Sequence, residues 1–214
     1  MAYNGVSISR YMITIKDNYL EDPEYIRQLA LDCDKWTYNN DPAVKSPAWR
    51  GFRSRKFSQL LAHDFKYLEL AKIEQDIFDY VWEERDLSSW VYPKYDLDVL
   101  ASNHMLEPTI TSYFHQCPEN TVDMMYDFWS DRFHRDYLPC AGVIYLSPDP
   151  PKNTGTSVLD GRNNQFINTE NVYNRLIAYC GYNIHGLSGC FGDSPKTNRM
   201  TIVFFIHEKR FPLP

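Results

Sequence analysis

The feature that most constrains this chain is a change of texture near Val91. Beyond it, short segments rich in β-branched and aromatic residues (Thr109–Phe114, Ala141–Ser147, Leu176–Cys180 and Met200–His207) are split by polar turns. Such segments are the pattern of strands in a mostly antiparallel structure. Before Val91 the pattern is largely helical. Apolar residues Phe65, Leu68, Leu70, Ile73, Ile77, Phe78 and Val81 recur at three- and four-residue steps between Leu61 and about Glu84, predicting an amphipathic helix. Asp22-Pro23 supplies an N-cap followed by proline, predicting a helix from Pro23 to about Asp34 after a strand over 11–16. Trp36 to Ser58 is rich in turn residues and reads as a long packed loop.

A helical flank before a β-rich half predicts a mainly β fold with supporting helices (α+β): a jelly roll whose interior can hold a ligand. At 214 residues the chain fits one domain, with residues 1–90 as the helical buttress and 91–214 as the β core. The aromatic share of 15% and hydrophobic share of 43% describe a globular chain. A net charge of −6 without a basic stripe disfavours duplex nucleic acid as a partner.

Five cysteines (Cys33, Cys117, Cys140, Cys180 and Cys190) form no CxxC pair and read as reduced thiols of a cytoplasmic protein. No stretch resembles a signal peptide or approaches the ~20 apolar residues that span a bilayer, so no membrane partner is expected. Oligomeric state is not legible in the sequence.

The chemistry is concentrated in three short motifs. His134 and Asp136 are two residues apart, so on an extended segment their side chains leave the same face and form a two-point metal grip. His185, 51 residues beyond His134, offers a third ligand. Two histidines and one carboxylate occupy one face of an octahedral metal and leave three positions open, which suits iron(II) with an oxo-acid and dioxygen. Arg199, 14 residues past His185, shares a strand face with Thr201, and together they offer a planar fork and a hydroxyl to one carboxylate.

HxD, a distant histidine, and then Arg-x-Thr resemble the iron(II)- and 2-oxoglutarate-dependent oxygenase superfamily, in its prolyl-hydroxylase-like branch. The Ala141–Ser147 strand with the Thr154-Gly155-Thr156 turn, and the Asn174-Arg175-Leu176 segment leading to His185, support the likeness over residues 105 to 208. Within that branch it is similar to uncharacterised bacterial and phage proteins. The resemblance implies a double-stranded β-helix, iron(II), 2-oxoglutarate and O2 as cofactors and co-substrates, and hydroxylation with release of succinate and CO2. It assigns His134, Asp136 and His185 to the metal and Arg199 and Thr201 to the co-substrate, with Tyr126 or Tyr113 as a further co-substrate contact.

The nucleic-acid-repair branch of the superfamily has a second arginine where this chain has Phe205. A peptide, amino-acid side chain or small metabolite is the expected substrate. A cupin-like module that binds metal or ligand without catalysis is the competing reading, and Arg199 with Thr201 tells against it. His63, His104, His115 and His207 read as structural or solvent-facing, and Trp49–Arg53 as a packed loop with a surface arginine pair.

Overall fold

The computed structural model describes residues 13–34, 36–38, 51–83, 104–119, 133–136, 138–160 and 164–212. In chain order the elements are strand β1 (Ile13–Lys16), helix α1 (Pro23–Leu31), β2 (Trp36–Tyr38), β3 (Phe52–Ser54), α2 (Phe57–Leu61), a 3-10 turn (Phe65–Tyr67), α3 (Leu68–Phe78) with a π-helical turn (Asp79–Glu83), β4 (His104–Cys117), β5 (Cys140–Tyr145), β6 (Thr156–Asp160), β7 (Gln165–Thr169), β8 (Leu176–Tyr179), β9 (His185–Leu187) and β10 (Arg199–Pro212).

The strands form a seven-stranded sheet in the order β1-β8-β5-β10-β4-β3-β2 and a three-stranded sheet in the order β7-β6-β9. All pairings are antiparallel. This is the predicted mainly β, helix-flanked jelly roll.

Side-chain alternation along β5, β8 and β10 divides the core in two. Ile144, Leu176, Ala178, Met200, Ile202, Phe204 and Ile206 point outward and pack with α1 and α3 residues such as Ile26, Leu29, Leu70, Ile73 and Ile77. Ala141, Val143, Tyr145, Ile177 and Tyr179 point inward and meet Val158 of the small sheet, with Val203 and Phe205 against them. The outer layer is a dry hydrophobic core, and the inner face carries the polar chemistry described below.

α1 starts where the sequence places it: the Asp22 carboxylate accepts the Tyr25 N–H at 2.9 Å and Pro23 opens the helix. Asn174, in a left-handed conformation at φ 59°, then ties the end of β1 to the start of β8. Its side chain accepts the Leu20 N–H at 2.7 Å and donates to the Leu20 carbonyl at 2.9 Å.

Three expectations are corrected here. The single helix expected from Leu61 to Glu84 is interrupted, because Asp64 accepts the Lys66 N–H at 2.9 Å and caps a new turn. Within the expected Trp36–Ser58 loop, Trp36–Tyr38 and Phe52–Ser54 are paired strands that extend the large sheet. Cys117 and Cys190 are not reduced thiols: they form a disulfide between positions 73 residues apart, with Cα atoms 5.4 Å apart. Cys33, Cys140 and Cys180 are free and buried. No helix among the described residues is long and apolar enough to cross a membrane.

Candidate metal and co-substrate site

His134 and His185 meet across an isolated antiparallel bridge, exchanging backbone hydrogen bonds of 2.9 and 3.0 Å. Two residues on, the Asp136 N–H donates to the Gly181 carbonyl at 2.9 Å and fixes the third side chain beside the first two. Asp136 Oδ1 is 3.4 Å from His134 Nε2, and Asp136 Oδ2 is 3.0 Å from His185 Nε2. One ligand atom from each residue lies within 4.8 Å of the others, a group that could hold a metal ion.

The imidazole of His185 is oriented for this role. Its Nδ1 lies 2.9 Å from the Asn183 carbonyl, so that nitrogen donates and Nε2 turns its lone pair toward Asp136. Lone pairs of a carboxylate and an imidazole at such separation repel unless a cation or a proton sits between them. His134 Nδ1 is buried without a hydrogen-bond partner among the described residues. Burial opposes ionisation of Asp136, but the imidazoles of His134 and His185 facing its two oxygens outweigh it and hold the carboxyl well below the ordinary range. The donor set, two imidazoles and one ionised carboxylate, fits an octahedral divalent metal bound on one face.

A second polar cluster lies on the same inner face. Arg199 opens β10, is only 1% exposed, and donates from Nε to the Thr154 carbonyl at 3.0 Å. Its guanidinium stands 5.5 Å over the ring of Tyr145. Burial lowers the pKa of Arg199, yet a guanidinium stays charged in proteins. Thr201 pairs across the ladder with Tyr145 on one side and His115 on the other, which puts all three on the inner face. Tyr145 donates its hydroxyl to Thr156 Oγ1 at 2.9 Å, and Thr169 donates to the Thr156 carbonyl at 2.8 Å. Thr201 is fully buried, and its hydroxyl has no partner among the described residues. A buried cation beside an orphaned hydroxyl is an environment that an anion with several acceptor oxygens would complete.

The structure therefore gathers His134, Asp136 and His185 into one group and sets Arg199 and Thr201 on the inner face. Tyr113 is on the same inner face: it pairs with Val203, and the guanidinium of Arg53 lies 4.2 Å from its ring centroid. Tyr126 lies outside the described residues. The tyrosine under Arg199 is Tyr145, which sequence reasoning missed because only strand register brings it to Thr201. His115 is 4% exposed on the inner face, whereas His63 is exposed. Arg53, read as a surface arginine, is half-buried on the same face.

No family model and no curated protein matches the sequence. Solved structures do match over most of the chain. A Pseudomonas putida prolyl-4-hydroxylase is similar over 93% of this chain and 94% of its own, at 12% identity and a TM-score of 0.52. A Trichoplax adhaerens prolyl hydroxylase, in complex with a peptide fragment of the hypoxia inducible factor oxygen degradation domain, covers 91% of this chain and 83% of its own, at 12% identity and a TM-score of 0.57. The dioxygenase for auxin oxidation 1 from Arabidopsis thaliana, in a binary complex with 2-oxoglutarate, covers 92% and 83%, at 11% identity and a TM-score of 0.54. The chain thus has the prolyl-hydroxylase-like double-stranded β-helix of the 2-oxoglutarate and iron(II) oxygenases.

Proposed function

We propose that this chain is an iron(II)- and 2-oxoglutarate-dependent dioxygenase that hydroxylates an amino-acid side chain, free or in a peptide, or a small metabolite. One domain over residues 1–214 would carry the activity. The observation that supports it most is the pairing, on one inner face, of three converging metal donors with a buried, charged Arg199 beside the unpartnered hydroxyl of Thr201. A metal-binding module without catalysis would have no use for that second cluster.

In this reading His134, Asp136 and His185 hold iron(II), and Arg199 and Thr201 take the distal carboxylate of 2-oxoglutarate. When bound, the iron and the oxo-acid supply the activation of dioxygen. Overall, 2-oxoglutarate, O2 and a C–H bond become succinate, CO2 and a C–OH bond. The chain's own part is positioning and dryness. The Asn183 carbonyl holds His185 in the ligating tautomer, and Asp136 stays ionised. Tyr145, locked by Thr156, supports the guanidinium plane of Arg199. Tyr179, 4.6 Å from the His185 ring, is kept a neutral phenol by burial. That the Trichoplax adhaerens neighbour binds a peptide supports the peptide branch of the substrate reading.

The test is conversion of 2-oxoglutarate to succinate under air. The reading requires turnover that depends on added iron(II) and disappears in Asp136→Asn. Succinate formed equally without iron, or not at all with a broad set of peptide, amino-acid and metabolite substrates, would count against it.

A further inference from the structure

Arg199, the first residue of β10, is paired on the ladder with Cys117, the last residue of β4. Cys117 is joined to Cys190 by the disulfide. Residues 188–192, which carry Cys190, lie between the two strand ends. Phe191 donates its N–H to the Cys117 carbonyl at 3.4 Å and accepts the Arg199 N–H at 3.0 Å, while the Gly192 carbonyl accepts the Glu119 N–H at 2.9 Å. Cys117, Cys190, Phe191 and Arg199 therefore form a closed ring of contacts with one covalent cross-link in it.

The same segment reaches the arginine's side chain. Ser188 donates its N–H to the Gly155 carbonyl at 3.0 Å. Gly189 packs so closely that a Cβ there would lie 3.1 Å from the Asn153 carbonyl oxygen and 3.5 Å from Thr154 Cγ2. Thr154 is the residue whose carbonyl accepts Arg199 Nε at 3.0 Å. Residues 188–192 thus support Arg199 twice, at its backbone through Phe191 and at its guanidinium through Thr154. Little else fixes them: Cys190 is the one buried residue among the five, and the turn that follows, at 193–197, is held by Thr197 Oγ1 at the surface. A cross-link is then the strongest restraint on where the segment lies.

The metal group is held by other contacts. His185 exchanges hydrogen bonds with His134 and pairs with Val158 of β6, and the Asp136 N–H rests on the Gly181 carbonyl. None of these passes through Cys117 or Cys190. The link therefore acts on one half of the site, the half that takes the co-substrate.

We propose that the Cys117–Cys190 disulfide positions Arg199 and makes co-substrate binding redox-dependent. With the link formed, Arg199 is held ready for the distal carboxylate; with the link reduced to two thiols, 2-oxoglutarate binds more weakly and iron(II) binds as before. This rests on the oxygenase reading above. The reductant is a dithiol. One of its thiolates attacks Sγ of Cys190, the residue nearer solvent at 8% exposure against 0% for Cys117. The S–S bond breaks, and Cys117 leaves as a thiolate that takes a proton. The second thiol of the reductant then displaces Cys190 as a thiol, so the protein gains two electrons and two protons and the reductant ends as a disulfide.

The experiment compares the full chain in two forms, one with the link and three free thiols, the other reduced with dithiothreitol to all five thiols and freed of reductant without air. Each is titrated anaerobically with iron(II) and then with 2-oxoglutarate, following the visible band. Reduction should weaken 2-oxoglutarate by about five- to a hundredfold and iron(II) by no more than about twofold, and reoxidation should restore the parent values. Because linkage is reciprocal, saturating iron(II) and 2-oxoglutarate should shift the equilibrium with dithiothreitol toward the disulfide by the same factor, a response that a purely structural link would not give. Cys117→Ala/Cys190→Ala should bind 2-oxoglutarate like the reduced parent and ignore dithiothreitol. In the metal-free chain, amide hydrogen exchange should quicken on reduction at Arg199 and stay level at Asp136 and His185. Equal 2-oxoglutarate affinity in the two forms, unfolding or an equal loss of iron(II) affinity on reduction, unchanged exchange at Arg199, a response to dithiothreitol that survives in the double variant, or a link that dithiothreitol cannot open in the folded chain would overturn the proposal. If neither form gives a band, the oxygenase reading itself falls and takes the co-substrate role of the link with it. If the band forms and reduction leaves it unmoved, only the role of the disulfide is lost.

Discussion

Thr201 carries a hydroxyl buried at 0% exposure without a described partner, a cost to the protein with nothing bound. Thr201→Val removes the orphan and keeps the shape, so stability without ligand should stay level or rise by up to about 1 kcal/mol. Affinity for 2-oxoglutarate should fall by about tenfold, the usual worth of one such bond. Urea denaturation and a co-substrate titration measure the two effects, and a marked loss of stability would mean that the hydroxyl already serves the fold. Arg199→Lys tests the other half of that pocket. It keeps the charge and loses the fork, so apparent 2-oxoglutarate affinity should drop by about ten- to a hundredfold while iron affinity barely moves. An unchanged affinity would make Arg199 a bystander. His134→Ala and His185→Ala should each abolish iron(II) binding in calorimetry with the circular dichroism of the β-sheet preserved. Unfolding instead would identify the pair as structural.

Among the elements, the Cys117–Cys190 link joins the end of β4 to the segment leading into β10. Beside it, the Phe191 carbonyl accepts the Arg199 N–H at 3.0 Å. Closing a 73-residue separation, it should contribute about 2–5 kcal/mol. Guanidinium denaturation of the parent and of Cys190→Ser measures this. Three thiols, from Cys33, Cys140 and Cys180, should titrate in the unfolded, unreduced chain. Five would contradict the link. The sequence offered no sign of this pair, because spacing alone does not join cysteines so far apart. The fully buried strands, by contrast, were legible: β5 and β8 are continuous apolar runs, and α1 announced itself through Asp22-Pro23. The short and exposed strands were not. β3 has three residues, too few for a period, and β7 is an edge strand whose first four residues are exposed. The metal donors could be read from two-residue spacing, whereas Tyr145 and Arg53 join the inner face only through pairing with strands distant in sequence.

At the scale of the whole molecule, the two faces of the large sheet divide the labour. The outer face packs on α1 and α3 into a dry core, and the inner face meets the small sheet around the site. Leu70 lies fully buried in that outer core, so Leu70→Ala should cost about 2–5 kcal/mol in urea denaturation while leaving iron and co-substrate affinities within about twofold. A comparable loss of affinity would show that the helical layer sets the site's geometry. The account as a whole depends on one metal holding both the His134-Asp136-His185 group and the oxo-acid. Anaerobic addition of iron(II) and then 2-oxoglutarate measures this directly. A weak visible charge-transfer band should appear in the parent, be absent from His134→Ala and Asp136→Asn, and need more 2-oxoglutarate in Arg199→Lys. Iron(II) bound with no band on adding the oxo-acid, or the same band in the ligand variants, would contradict the account.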